Sequence, residues 1–263
     1  MKRLDGRQYG YLNSGNDGCF VRNIPNQQIA GYPVGIVYIE NVNYPMMPGN
    51  VVNAYTYDFP VRMMAVPNLT NTRLFEGDPT IADDIIQAAR HMVEKEGVRA
   101  ICSACGFFGN YQKVVSEALD VPVAMSSLVQ IPMIQALLKP DQKIGIITAS
   151  GDSVTKALYE NCGITNTDNL VIQDARHTKH FAGAVVDNCG YFDNNQARSE
   201  VVALAKELIT REDKIGAILL ECSDMPPYAA TIQAHTQLPV FDFITLIRWL
   251  HSGVMQKPYS GWM

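Results

Sequence analysis

No apolar stretch in this 263-residue sequence runs unbroken for more than about ten residues, which is too short to span a bilayer. Behind the basic start Met1-Lys2-Arg3 there is no apolar h-region, so the segment DGRQYGYLNSGNDG reads as an unassigned polar appendage and not as a secretory signal. Cysteine is sparse: the six residues Cys19, Cys102, Cys105, Cys162, Cys189 and Cys222 are too scattered for the disulfide framework of a small secreted domain. These absences predict a cytoplasmic protein with free thiols and no membrane partner. Charge is scarce as well, at 18% of residues, and its net value of −5 argues against a nucleic-acid surface. What is abundant is apolar sequence, 47%, enough for a sizeable core in a chain of this length.

That apolar content is parcelled into short runs without period-two alternation, as buried strands require. They are Pro33 to Glu40, Val61 to Pro67, Val98 to Cys105, Val121 to Ser127, Lys143 to Ser150, Asn169 to Ala175, Ile215 to Cys222 and Leu238 to Phe243. Amphipathic segments lie between them. TIADDIIQAARHMVEKEG puts Ile81, Ile85, Ala88, Ala89 and Met92 on one face, carries acids in its first turns and stops at Gly97. QARSEVVALAKELITRED and SGDSVTKALYENCG read as helices in the same way. Strand, helix and strand in repetition predict a parallel sheet covered on both faces, with its ligand beyond the carboxyl ends of the strands.

The chain also repeats itself. Tyr111 and Pro122 lie six and seventeen residues after Cys105, and Tyr228 and Pro239 lie six and seventeen after Cys222. Ala100 and Ala217 stand five before each cysteine, Ile101 and Ile218 four before. Upstream, GIVYIE from Gly35 matches GIITAS from Gly145. The expected fold is therefore α/β: two similar doubly wound, flavodoxin-like parallel-sheet subdomains related by pseudo-two-fold symmetry. The first takes residues 1–134 and is completed by 240–263; the second takes 135–239. The active site falls in the cleft between them, with a cysteine contributed by each half.

A thiol on each side of a substrate can take a proton from carbon on one face and return one on the other, with no cofactor and no metal. The carbanion so formed needs donors. Backbone N–H groups behind each strand, with Ser126, Ser127, Thr148, Ser150 and Ser223, suit a carboxylate or carbonyl oxygen. GFFGN and ASGDS are the stretches placed around it.

In SACGFFGN and LLECSDMPPYA the sequence resembles the cofactor-independent aspartate/glutamate/hydantoin racemase superfamily, from about Pro33 to the end of LPVFDF. The first segment is closer to the hydantoin-racemase form. The resemblance implies that Cys105 and Cys222 are the catalytic acid/base pair, that Ser223 lies against the substrate, and that the protein is a racemase or epimerase of an amino acid or derivative. It implies a homo-oligomer too. Glutamate and aspartate racemases usually carry Asn-Thr after the first cysteine, where this chain has Gly106 and Phe107. They usually carry Thr before His or Glu after the second, where it has Ser223 and Asp224. A less polar substrate side chain follows. The substrate-binding set is then Glu40, Gly106, Phe107, Asn110, Ser127, Ser150, Ser223 and Asp224, around a small molecule bearing a carboxylate or carbonyl. Within the same superfamily a maleate isomerase-like or arylmalonate decarboxylase-like reaction is the alternative, and a ligand-binding sensor is the non-catalytic one.

Other motifs carry less. Cys102 and Cys105 form a CxxC, but Cys102 falls inside a strand and no second pair completes a zinc set. RHTKH (Arg176 to His180) reads as a solvated loop or substrate entry, and YPMMPGN (Tyr44 to Asn50) as a lid or a connector over the cleft. Cys19, Cys162 and Cys189 read as structural or incidental.

Overall fold

The structure, a computed structural model, describes residues 27, 29–256, 259 and 261–263. The polar appendage and Cys19 lie outside the described residues. The first subdomain contains β1 (Val34–Ile39), β2 (Val61–Val66), α1 (Asn71–Glu76), α2 (Ala82–Glu96), β3 (Ala100–Ser103), α3 (Gln112–Ala118), β4 (Val123–Ala124) and α4 (Ile131–Leu137). The second contains β5 (Lys143–Thr148), α5 (Lys156–Asn161), β6 (Leu170–Asp174), α6 (His180–Val185), α7 (Asn194–Arg211), β7 (Ile215–Leu220), α8 (Ala229–Thr236) and β8 (Val240–Phe241). The final helix, α9 (Phe243–Val254), packs Phe243, Leu246 and Ile247 against Val34, Ile36, Ala100 and Cys102 of the first sheet. β8 bonds to β7 of the second sheet, and α9 directly behind it packs on the first.

Both sheets are wholly parallel, ordered β2-β1-β3-β4 and β6-β5-β7-β8. The repeat read from spacing recurs bond for bond. The N–H of Ile101 donates to Pro122 O and that of Ile218 to Pro239 O, each at 2.9 Å. The N–H of Ala104 donates to Val37 O, and that of Glu221 to Ile147 O, again at 2.9 Å. Each half also brings its long helix against a glycine of its first strand. A β-carbon on Gly35 would stand 3.0 Å from Met92, and one on Gly145 would stand 2.3 Å from Leu208.

The long helices form where apolar periodicity and caps coincide. In α2 the buried face is Ile85, Ile86, Ala88, Ala89, Met92 and Val93, and Gly97 ends it in the left-handed conformation. In α7 the Asp193 side chain accepts from the N–H groups of Asn195 and Gln196. The helix expected over SGDSVTKALYENCG is shorter than its sequence. Residues Gly151–Ser153 form a separate 3-10 turn, and α5 starts only after Thr155, whose side chain caps Leu158 N. β-Branched Val154 sits between the two outside helical dihedrals, at ψ 83°.

Candidate active site

The two strand ends are tied together across the subdomain boundary. Ser223 Oγ donates to Ala104 O at 3.2 Å, and Ser127 Oγ donates to Leu220 O at 3.1 Å. Above this seam opens a cavity of about 580 Å3, its mouth included. Cys105, Cys222, Ser223, Asp224 and Glu221 line it together with Tyr38, Phe75, Phe107, Met46 and other apolar groups. Among the described residues no Lys, Arg or His lines it.

Each sulfur is placed by the same local device. Past each strand the chain closes a tight turn, in which Phe108 N–H donates to Cys105 O and Met225 N–H to Cys222 O, each at 3.2 Å, and an N–H two residues on turns back toward the thiol. Phe107 N–H serves Cys105 in this way, and Asp224 N–H serves Cys222. Both bonds favour thiolate, but burial outweighs them, with the acids Glu221 and Asp224 acting in the same direction wherever they ionise, so both thiols are held well above the ordinary cysteine value. Cys222 Sγ also donates to Asp224 Oδ2 at 3.6 Å, while Asn50 Nδ2 donates to Asp224 Oδ1. Burial raises the Asp224 carboxyl to about 6, against the opposing Asn50 and Cys222 bonds.

The YPMMPGN segment reaches over this cavity. Met46 lines it, Asn50 holds Asp224, and Tyr44 stacks on Phe192 of the second subdomain with ring centroids 5.5 Å apart. It therefore bridges the halves.

Of the sequence-derived residues, Cys105, Phe107, Cys222, Ser223 and Asp224 meet in one cavity, with Gly106 directly behind. Four others point elsewhere. Glu40 lines a neighbouring polar pocket with Asn41, Asn68 and Asn71. Asn110 Nδ2 donates to Leu74 O at 3.3 Å; Ser150 Oγ pairs with Ser153 Oγ at 3.0 Å; Ser127 is spent on the backbone of β7. The amide and the two hydroxyls have structural partners in place of a substrate, and the Glu40 carboxyl lies outside the thiol cavity. Cys102 faces the α9 side of the sheet and its thiol is pushed up to about 12, so the CxxC is split between two layers. Among the described residues no group of three or more His, Cys, Asp or Glu is placed to hold a metal ion, and no helix is long and apolar enough to cross a membrane.

Phe75 and Glu221, both lining the cavity, escaped the sequence reading. Glu221 is wholly buried in the run AILLEC, where an acid amid apolar residues was the available signal.

The fold is that of the aspartate/glutamate/hydantoin racemase superfamily. The structure matches allantoin racemase from Pseudomonas fluorescens with a TM-score of 0.56 and 15% identity, over 88% of this chain and 99% of that one. It matches arylmalonate decarboxylase with a TM-score of 0.57 and 14% identity, over 86% and 94% of the two chains. Within that fold the chain belongs to the family of dimethylsulfoniopropionate lyases. It is 30% identical to dimethylsulfoniopropionate lyase 7 of Emiliania huxleyi, over 89% of this chain and 70% of that protein. It is likewise 30% identical to the dimethylsulfoniopropionate lyase of Durusdinium sp. clade D, over 87% and 77%. With lyase 3 of Emiliania huxleyi the match is 29% and spans 63% of the longer relative. No family model matches the chain. The sequence relatives place it among enzymes.

Proposed function

We propose that the chain is a cofactor-independent lyase that eliminates a β-onium group from a carboxylate zwitterion, dimethylsulfoniopropionate being the substrate named in its relatives. The observation that carries this reading is the charge of the cavity. Among the described residues two thiols and two acids line it with no cationic side chain, which disfavours a dicarboxylate and favours a substrate with a fixed positive centre. Phe75 and Phe107, with ring centroids 4.3 Å apart, supply aromatic surface for such a centre.

Cys222 is the base, because it is the thiol bonded to a carboxyl group able to accept its proton. Its thiolate takes the proton α to the carboxylate. The C–H electron pair becomes the new C=C bond, and the β C–S bond breaks with its electrons going to sulfur. Dimethyl sulfide and acrylate leave, and the proton passes to solvent. The mechanism needs the Cys222 thiol reduced, which fits a reducing, cytoplasmic setting.

Racemisation is the second reading, favoured by the matched pair of thiols at one cavity. It shares the first proton transfer and differs in that the carbanion is reprotonated from the opposite face. Proton NMR in deuterated water separates the two, using dimethylsulfoniopropionate beside D- and L-amino acids and 5-substituted hydantoins. Vinyl signals of acrylate, absent with Cys222→Ser, are the expected result. Cysteine-dependent loss of α-proton signal from an amino acid or hydantoin, with no acrylate from the sulfonium compound, overturns the lyase reading in favour of a racemase.

A further inference from the structure

Removal of an α-proton loads further negative charge onto the substrate carboxylate, and a cavity without a cation must meet that charge with hydrogen-bond donors. Glu221 is unusually placed to be one. Its counterpart in the first half is Ala104, so only the second strand end carries an acid. The side chain crosses the subdomain boundary into space left by Gly106, where an ideal β-carbon would lie 1.7 Å from Oε1. Oε2 accepts a 2.8 Å hydrogen bond from Thr148 Oγ1. Oε1 is buried and has no hydrogen-bond partner.

A carboxylate there leaves half its charge unanswered in an apolar setting. A carboxylic acid with Oε2 as its carbonyl oxygen uses the Thr148 bond and keeps one donor, Oε1–H, for a ligand. The groups within electrostatic reach do not stabilise the anion. They are Cys105 from the end of β3, the adjoining Cys222 with its partner Asp224, and Tyr159 and Cys162 at the end of α5. None of them bears a positive charge. Burial holds the Glu221 carboxyl up at about 7, opposed only by the Thr148 bond.

We propose that Glu221 works as a neutral carboxylic acid, donating its Oε1 proton to the substrate carboxylate and to the enediolate that forms from it. This makes Glu221 a catalytic residue on the reading that the substrate bears a carboxylate at the thiol cavity. A protonated buried acid serving as an oxyanion donor is established chemistry in an unrelated isomerase.

Propionate, which has no β leaving group, is the probe, titrated calorimetrically from about pH 6 to pH 8.5. Wild-type Kd rises roughly tenfold per pH unit above about 7, because binding requires the protonated acid. At about pH 8 wild-type protein takes up close to one proton per propionate, read from two buffers of different ionisation enthalpy. In Glu221→Gln the amide N–H donates at every pH, so above about pH 7, where Asp224 is already ionised, Kd stays flat. A flat wild-type profile, proton uptake near zero, a slope that survives in Glu221→Gln, or no binding at about pH 6 each overturns the proposal. The proton-uptake measurement needs no variant and so does not depend on Glu221→Gln folding. Acrylate formation from dimethylsulfoniopropionate tests the lyase reading separately. Turnover with flat propionate binding removes only the role of Glu221; pH-linked propionate binding without turnover removes only the substrate.

Discussion

Glu221 Oε1 occupies the place of the β-carbon that any residue other than glycine would bring to position 106. An alanine there would put that carbon 1.7 Å from Oε1 and 2.3 Å from Cδ, so the acid must move or the subdomains must part. Gly106→Ala is expected to cost about 1–3 kcal/mol of stability and to lower turnover at least about tenfold through misplacement of the site. Urea midpoints and kcat on the same preparation check it. Adding Glu221→Ala to Gly106→Ala should restore much of the stability, since the two changes share one contact.

The thiols should not be equivalent. Cys222 alone bonds a carboxyl group, so Cys222→Ser is expected to lower elimination by about 10²–10⁴-fold. Cys105→Ser should be milder in elimination while abolishing any exchange on the second face of the substrate. Steady-state acrylate production and solvent-deuterium incorporation measure the two separately. Equal losses in both assays for both variants would contradict the assignment of the base.

Stability should fall as pH rises. Burial raises the Glu221 carboxyl to about 7 and the Asp224 carboxyl to about 6, above unfolded values near 4. Between about pH 4 and pH 7 the folded chain holds more protons than the unfolded one, so stability is greatest at the acid end of that window. It declines through it and levels above. Glu221 accounts for at most about 4 kcal/mol of the decline, and Glu221→Gln should remove that share from the pH dependence of the urea midpoint. Asp78, held at about 2 by Thr80 and Arg73, acts in the opposite direction only at lower pH.

Phe75 should discriminate charge. Its ring lines the cavity and packs on Phe107 at a 50° tilt. Replacing it with leucine keeps apolar bulk and removes the aromatic face, so KM for a sulfonium substrate is expected to rise about tenfold. Inhibition by 4-methylpentanoate, an uncharged mimic of the onium end, should change little. A parallel loss of both would mean that Phe75 acts through packing alone.

Eight strands, the long helices α2 and α7 and the duplicated order were legible because strand length, apolar content and caps are local properties, and the spacing about Cys105 and Cys222 is carried in the chain itself. The strand-end position of the thiols followed from the same reading. The partners of the polar residues were not legible. Ser127 suits a carboxylate on sequence alone, but the docking of two subdomains sets it beneath Leu220 O; Glu40 ends in a separate pocket; and the role of Glu221, inside an apolar run, has no local signature beyond its charge. Sequence by itself determined that two similar halves would each present a cysteine at a strand end. Only the tertiary structure decided which oxygens face the cavity, because a side chain's partner depends on how the two halves pack, and here Gly106 and Glu221 interlock across that boundary.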